Sequence, residues 1–189
     1  MYKVIFEEEA ISAIRRDGIC DLLTYLHATD FYTAPASTKF HGAEEHGLVK
    51  HSLSVYEYFW KLAPTINFEK TNPNLESSAI VCLFHDICKT NFYKISNRNV
   101  KNADGKWVQV PYYTIDEELK FGAHAAKSIY LLNSFIKLTL PETMAIYHHM
   151  GGYDMSTYSK PSDAYANCKL AWLLHVADEY DSYYGGLNV

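Results

Sequence analysis

Seven side chains in this sequence are competent ligands for a divalent cation and fall in one order along the chain. They are His51, then His85-Asp86, then His124, then His148-His149, then Asp178. Mixed imidazole and carboxylate ligation suits Mn, Fe, Co, Ni or Zn better than Mg or Ca. A carboxylate has two oxygens and is able to bridge two cations, whereas an imidazole nitrogen has one lone pair to give. Two cations a few ångströms apart would neutralise charge on a phosphoryl group and turn a water into hydroxide. A His-Asp or a His-His dipeptide is weak evidence alone, because each arises by chance at this composition. The surroundings of each piece carry more. His85-Asp86 closes the apolar run Ala79–Phe84 and is followed by Lys89, His51 lies in Gly47-Leu-Val-Lys-His51, and Asp178 ends Leu173-Leu-His-Val-Ala-Asp178.

Most of these residues fall in segments with helical periodicity. Apolar positions at helical spacing cover 7–28, where Gly18 is expected to divide two short helices. Residues 30–46, with Pro35 and Gly42, read as a loop. Leu48, Val55, Phe59 and Leu62 give a core-facing stripe to a helix over about 47–63, ended by Pro64. Asn72-Pro73-Asn74 opens a helix over about 75–90, which would put Lys89 on the face of His85 and Asp86. A helix over about 122–136 carries His124. Thr139-Leu-Pro-Glu142 fits a capping box for the next, which ends at Gly151-Gly152 with His148 and His149 in its last turn. A final helix over about 163–183 carries Asp178. Between these, Asp104-Gly105 marks a β-hairpin within 93–115. The expected fold is all-α with one small hairpin, its helices turning ligands to one interior point.

Residues 89–106 carry five cations, Lys89, Lys94, Arg98, Lys101 and Lys106, against the single acid Asp104. Lys89, Arg98 and, less directly, Lys127 are the expected contacts to a substrate phosphate. The plain alternative for Lys89 is a cation favoured by a helix C-terminus, and for the hairpin a solvated surface. Tyr113, Tyr153 or Tyr183 offers a ring on which a base could stack.

The chain has 189 residues, 48% of them hydrophobic, which is one domain's length with a real core. A net charge of −5 argues against a duplex-DNA binder. No apolar stretch approaches a membrane span, the N-terminal segment lacks a signal-peptide core, and four scattered cysteines read as reduced thiols of a cytoplasmic protein. Cys88 beside the His-Asp pair reads as packing rather than as a ligand.

The ordered pattern H…HD…H…HH…D over residues 51–178 resembles the HD superfamily of metal-dependent phosphohydrolases. Ala34-Pro-Ala-Ser-Thr-Lys-Phe-His41, leading into Gly47–Val55, is also similar to the HD domain of bacterial 3′–5′ exoribonucleases and to small stand-alone HD proteins of bacteria and phages. The resemblance implies an HD helical bundle spanning 1–189 as a single domain. The simplest members of the superfamily hold one metal with the first His, the His-Asp pair and the last Asp. The further His124, His148 and His149 look like the two-metal subgroup, which includes phosphodiesterases of cyclic dinucleotides. His51, His85, Asp86 and Asp178 would then hold one ion, and Asp86 would bridge to a second held by His124, His148 and His149. A metal-bound hydroxide would attack a phosphoester of a nucleotide or short oligonucleotide, with Lys89 of the His-Asp-x-x-Lys pattern on the phosphate. A one-metal nucleotide phosphatase and a non-catalytic nucleotide-binding module are the alternatives.

Overall fold

A computed structural model describes residues 1–116, 123–153 and 160–185. The chain opens with helix α1 (Tyr2–Ala13) and helix α2 (Ile19–His27). Gly18 stands between them at a φ of 90°, a left-handed conformation that separates the two helices as the sequence predicts. A long loop then leads to α3 (Gly47–Leu62), and a short 3-10 turn at Ala63–Ile66 carries Pro64 in its first positions. Gly47 is required where it stands. A Cβ there would collide with the Gly42 carbonyl oxygen, so the loop bearing His41 lies flat on the start of α3.

Helix α4 (Asn72–Phe84) begins and ends earlier than the sequence predicts. Pro73 is accommodated in its first turn, where its missing N–H costs nothing. Its last residues, Ala79 to Phe84, are all fully buried, so α4 is the central helix and is apolar all round at that end. Phe84 meets Phe6 of α1 edge to face at 5.3 Å between ring centres. Beyond Phe84 the chain leaves the α-helix. His85 caps it, Asp86 takes φ −101° and ψ 16°, and Ile87–Lys89 form a 3-10 turn. In one continuous helix, neighbouring side chains diverge by about 100°; this break lets His85 and Asp86 face the same interior point.

The hairpin is present, with β1 (Tyr93–Lys101) pairing antiparallel to β2 (Trp107–Ile115) from Tyr93↔Ile115 to Lys101↔Trp107. Pro111 is tolerated in β2 because a two-stranded sheet has only edges. Helix α5 (His124–Asn133) follows; its expected start at 122 lies outside the described residues. Helix α6 (Leu140–His148) starts on the predicted capping box, with the Glu142 N–H donating to Thr139 Oγ1 and the Thr139 N–H to Glu142 Oε2.

The expected final helix is two helices. Helix α7 (Pro161–Asn167) stops at Cys168, whose backbone is extended, and α8 (Lys169–Tyr184) begins after it. Neither a glycine nor a proline marks that break. Helices α3, α4, α6 and α8 pack on one another around the core. Glu142 is fully buried and ties three segments together, accepting from Arg16 at 2.7 and 3.0 Å and from Ser77 at 2.7 Å. No helix among the described residues is long and apolar enough to cross a membrane. The four cysteines are free, with Cys20 alone exposed.

Candidate metal centre

The side chains singled out in the sequence come from the ends and inner faces of five helices. α3 supplies His51, the break after α4 supplies His85 and Asp86, and the first residue of α5 is His124. His149 caps α6, and Asp178 faces inward from α8. His51, His85, Asp86, His149 and Asp178 are all buried.

Six of the seven predicted ligands converge. His51 Nε2 lies 3.2 Å from His85 Nε2 and 3.2 Å from Asp178 Oδ1. Asp86 Oδ2 lies 3.6 Å from both imidazole nitrogens. The other oxygen of the same carboxylate, Asp86 Oδ1, faces a different pair: it lies 2.5 Å from His124 Nε2 and 3.7 Å from His149 Nε2. Asp86 thus presents one oxygen to each of two imidazole groups. His148 is buried at the end of α6, with its carbonyl accepting from the Tyr165 hydroxyl, and it joins none of the converging groups found among the described residues.

The backs of the rings explain their aim. His51 Nδ1–H donates to Asp181 Oδ2 at 2.7 Å, His85 Nδ1–H to the Cys82 carbonyl at 3.0 Å, and His149 Nδ1–H to the Ile146 carbonyl at 2.6 Å. His124 Nδ1 sits 3.1 Å from Cys88 Sγ. With Nδ1 carrying the proton, the Nε2 lone pair of His51, His85 and His149 is turned into the site, the orientation that metal-binding histidines use. Two such lone pairs, on His51 and His85, face each other at 3.2 Å. His149 Nε2 is buried with no hydrogen-bond partner among the described residues. A cation between these donors satisfies both arrangements.

The electrostatics agree. Burial disfavours a charged His51, yet the hydrogen bonds to Asp178 and Asp181 and the charge of Asp86 outweigh it and push its pKa up to about 9, so a second proton on Nε2 competes with a cation for that lone pair. Burial also acts against a charged His124, and Cys88 and Asp86 outweigh it, raising its pKa to about 10. His85 goes the other way: burial dominates and lowers it to about 4. Asp178 is buried but held down to about 2 by His51, and Asp86, also buried, is held well below the usual range by Lys89 and its histidine neighbours. The pocket therefore holds its carboxylates ionised and attracts positive charge, as a cation site must. Nitrogen and oxygen donors in this arrangement fit divalent transition metals.

Two residues entered the site without a sequence signal. Asp181, one turn beyond Asp178 and fully buried, accepts from His51, from His41 Nε2 at 2.8 Å and from the Ser54 hydroxyl. Cys88, read from sequence as packing, backs His124. Lys89 is brought by the 3-10 turn instead of an α-helical face, and its ammonium lies 2.6 Å from Asp86 Oδ2. Arg98 lies out on the hairpin, over the Tyr112 ring at 5.1 Å, and Lys127 sits over Phe92 at 5.2 Å. His175 donates from Nδ1 to the His149 carbonyl at 2.7 Å and stacks on Tyr165, a supporting place behind the site.

A family model of the HD domain matches residues 48–183, a span that includes all six converging side chains from His51 to Asp178. The chain belongs to the HD domain family. No curated protein and no solved structure gives a significant match. HD domains belong to a superfamily of metal-dependent phosphohydrolases, and the helical architecture with its His/Asp cluster is consistent with an HD metal site.

Proposed function

We propose that this HD domain is a two-metal phosphohydrolase that cleaves a phosphoester of a nucleotide or short oligonucleotide. The observation that carries the reading is Asp86, whose two oxygens face two separate imidazole groups. One ion would be held by His51, His85, Asp86 and Asp178. The other would be held by Asp86, His124 and His149, with His148 assigned by its place in the series. Bound divalent ions would supply neutralisation of phosphoryl charge and acidification of a water.

The chain's own residues do the rest. Asp181, Cys82, Cys88 and Ile146 fix the rings so that their lone pairs need no reorganisation. Lys89, partly exposed beside Asp86, is placed to donate to a phosphoryl oxygen arriving at that carboxylate. Tyr93, whose phenol is pushed up to about 12 by burial despite the opposing charge of Lys89, stays neutral at physiological pH, its proton donated to the Ala36 carbonyl.

The test is hydrolysis of bis(p-nitrophenyl) phosphate and of cyclic and linear dinucleotides by metal-loaded protein, with Asp86→Ala beside it. The reading expects turnover of at least one of these and none above background for Asp86→Ala. Equal rates for the two proteins would refute it.

A further inference from the structure

The last carbonyls of an α-helix have no N–H of their own helix to accept from, and at the end of α6 side chains supply the missing donors. The Ile146 carbonyl takes the Nδ1–H of His149 at 2.6 Å. The His148 carbonyl takes the Tyr165 hydroxyl at 2.7 Å, and the His149 carbonyl takes the Nδ1–H of His175 at 2.7 Å. A carbonyl only accepts, so His175 carries a proton on Nδ1. Tyr165 belongs to α7 and His175 to α8, and their rings stack at 4.9 Å between centres with 10° between planes. Gly151 is folded against both. At its φ of 56°, a Cβ there would lie 2.7 Å from His175 Cε1 and 3.2 Å from the Tyr165 hydroxyl.

The break between α7 and α8 makes this contact possible. Tyr165 and His175 are ten residues apart, which in one continuous helix is about 15 Å along the axis. The extended backbone at Cys168 turns α7 back so that the two rings meet. The hydrogen bond from His149 to Ile146 fixes the imidazole relative to α6 alone and does nothing to place α6 against the rest of the site. Tyr165 and His175 do that, because α8 also carries Asp178, three residues after His175 and on the same side of the helix. The result is a His149 Nε2 that is buried, has no hydrogen-bond partner among the described residues and lies 3.7 Å from Asp86 Oδ1. Two donors each about 2.1 Å from one ion stand at most about 4.2 Å apart, so a single cation reaches both. None of His51, His85, Asp86 and Asp178 is carried by α6.

We propose that Tyr165 and His175 are positioning residues for the second ion: they lock the end of α6 onto α7 and α8 and so hold His149 Nε2 within reach of a cation on Asp86 Oδ1. The inference rests on the two-metal reading and goes beyond it, since neither residue gives the ions an atom. Metal–nitrogen bonds keep within about 0.2 Å of their preferred length. A helix end free to drift would therefore take His149 out of reach of an ion held by Asp86 and His124. The lock acts on one ion and leaves the other alone, because the donors of the first stand on other elements.

Co(II) titrated into the chelator-stripped full chain, followed by its visible absorption, counts the ions and senses their ligands. The wild type should take up two ions in separate steps. Tyr165→Phe with His175→Phe keeps a ring at each place and removes both donors. It should weaken one step about tenfold or more and leave the other unchanged. His175→Phe alone should weaken the same step. His175→Asn, whose amide N–H stands where the Nδ1–H stands but which has no ring to stack, should recover most of it. Thermal unfolding of the stripped proteins reports that the variants fold, and Tyr165→Phe alone carries the test if the double variant does not. Two ions held as tightly by the variants as by the wild type overturn the inference and leave the two-metal reading. Equal weakening of both steps, the mark of loosened packing, also overturns it, as does His175→Asn no better than His175→Phe. A wild type that takes up a single ion removes the two-metal reading, and the inference with it.

Discussion

Asp181 gives no atom to the converging ligand groups around Asp86, yet it accepts from His41, His51 and Ser54 at once. It is fully buried and held below the ordinary carboxylate range: burial acts to raise it, and the hydrogen bonds from His41 and His51 outweigh burial. Its chemical effect is to hold the proton on His51 Nδ1 and so aim Nε2 inward. Asp181→Asn keeps the shape and loses the charge, and should lower metal affinity about 10–100-fold, the usual cost of removing such a partner. Competition against a chelating indicator measures it, and an unchanged affinity would leave Asp181 a packing role only. The six side chains that converge were legible as a group because residue type and order along the chain carry them. Asp181 was not, because the stretch Asp178-Glu-Tyr-Asp181 reads as the polar end of a helix; only the fold shows Asp181 turned to His51. Cys88 was passed over for the same reason, since a thiol next to a His-Asp pair has an ordinary packing explanation.

At the scale of elements, the break after α4 matters most. The sequence predicts a helix through residue 90, because nothing between Phe84 and Lys89 is a helix breaker. The 3-10 turn that replaces its end puts the Lys89 ammonium on Asp86 Oδ2. Burial disfavours its charge, and Asp86 with Tyr93 outweighs burial to raise its pKa, so Lys89 stays protonated through the neutral range. Lys89→Met should retain metal and lose roughly ten- to hundredfold in kcat/KM, the worth of one charge-assisted hydrogen bond. Retained kcat/KM would return Lys89 to the surface-cation reading. The capping box of α6 was legible to the residue, as was the split at Gly18. The division of α7 from α8 was not, because Asn167-Cys168 carries no turn chemistry.

Glu142 does more than cap. Removing its carboxylate leaves Arg16 without its buried partner, and Glu142→Ala should cost about 3 kcal/mol in unfolding free energy, read from urea denaturation. Its pKa is lowered in the fold: burial acts to raise it, but Arg16, the Thr139 N–H and Ser77 outweigh burial. A carboxyl depressed in the native state binds fewer protons there than when unfolded. Its stabilisation is therefore complete above the unfolded pKa, near 4.5, and is lost as pH falls through the lower folded value. Glu142→Gln should flatten that acid limb of the stability profile, whereas an unchanged limb would place the acid sensitivity elsewhere.

For the molecule as a whole, the metal centre exists only when α3, α4, α5, α6 and α8 are all in place, because no single segment brings more than two of the donors. His51 and Asp178 are 127 positions apart in the sequence, and their meeting is a property of the assembled bundle. Metal bound to the native state alone stabilises it by mass action, so the bundle and its ions support each other. The charge of the chain is divided in the same way, acidic in total and cationic along the hairpin. Fold class, the hairpin's location and the six side chains that converge were readable because periodicity and residue order survive in one dimension.

The most direct measurement is metal content per chain, by elemental analysis of protein purified without chelator, for the wild type, His149→Ala and Asp86→Ala. The two-metal account predicts about two transition-metal ions per wild-type chain, about one after His149→Ala, and close to none after Asp86→Ala, which loses the shared carboxylate. A wild-type chain that carries no transition metal, or equal content in all three proteins, would contradict it.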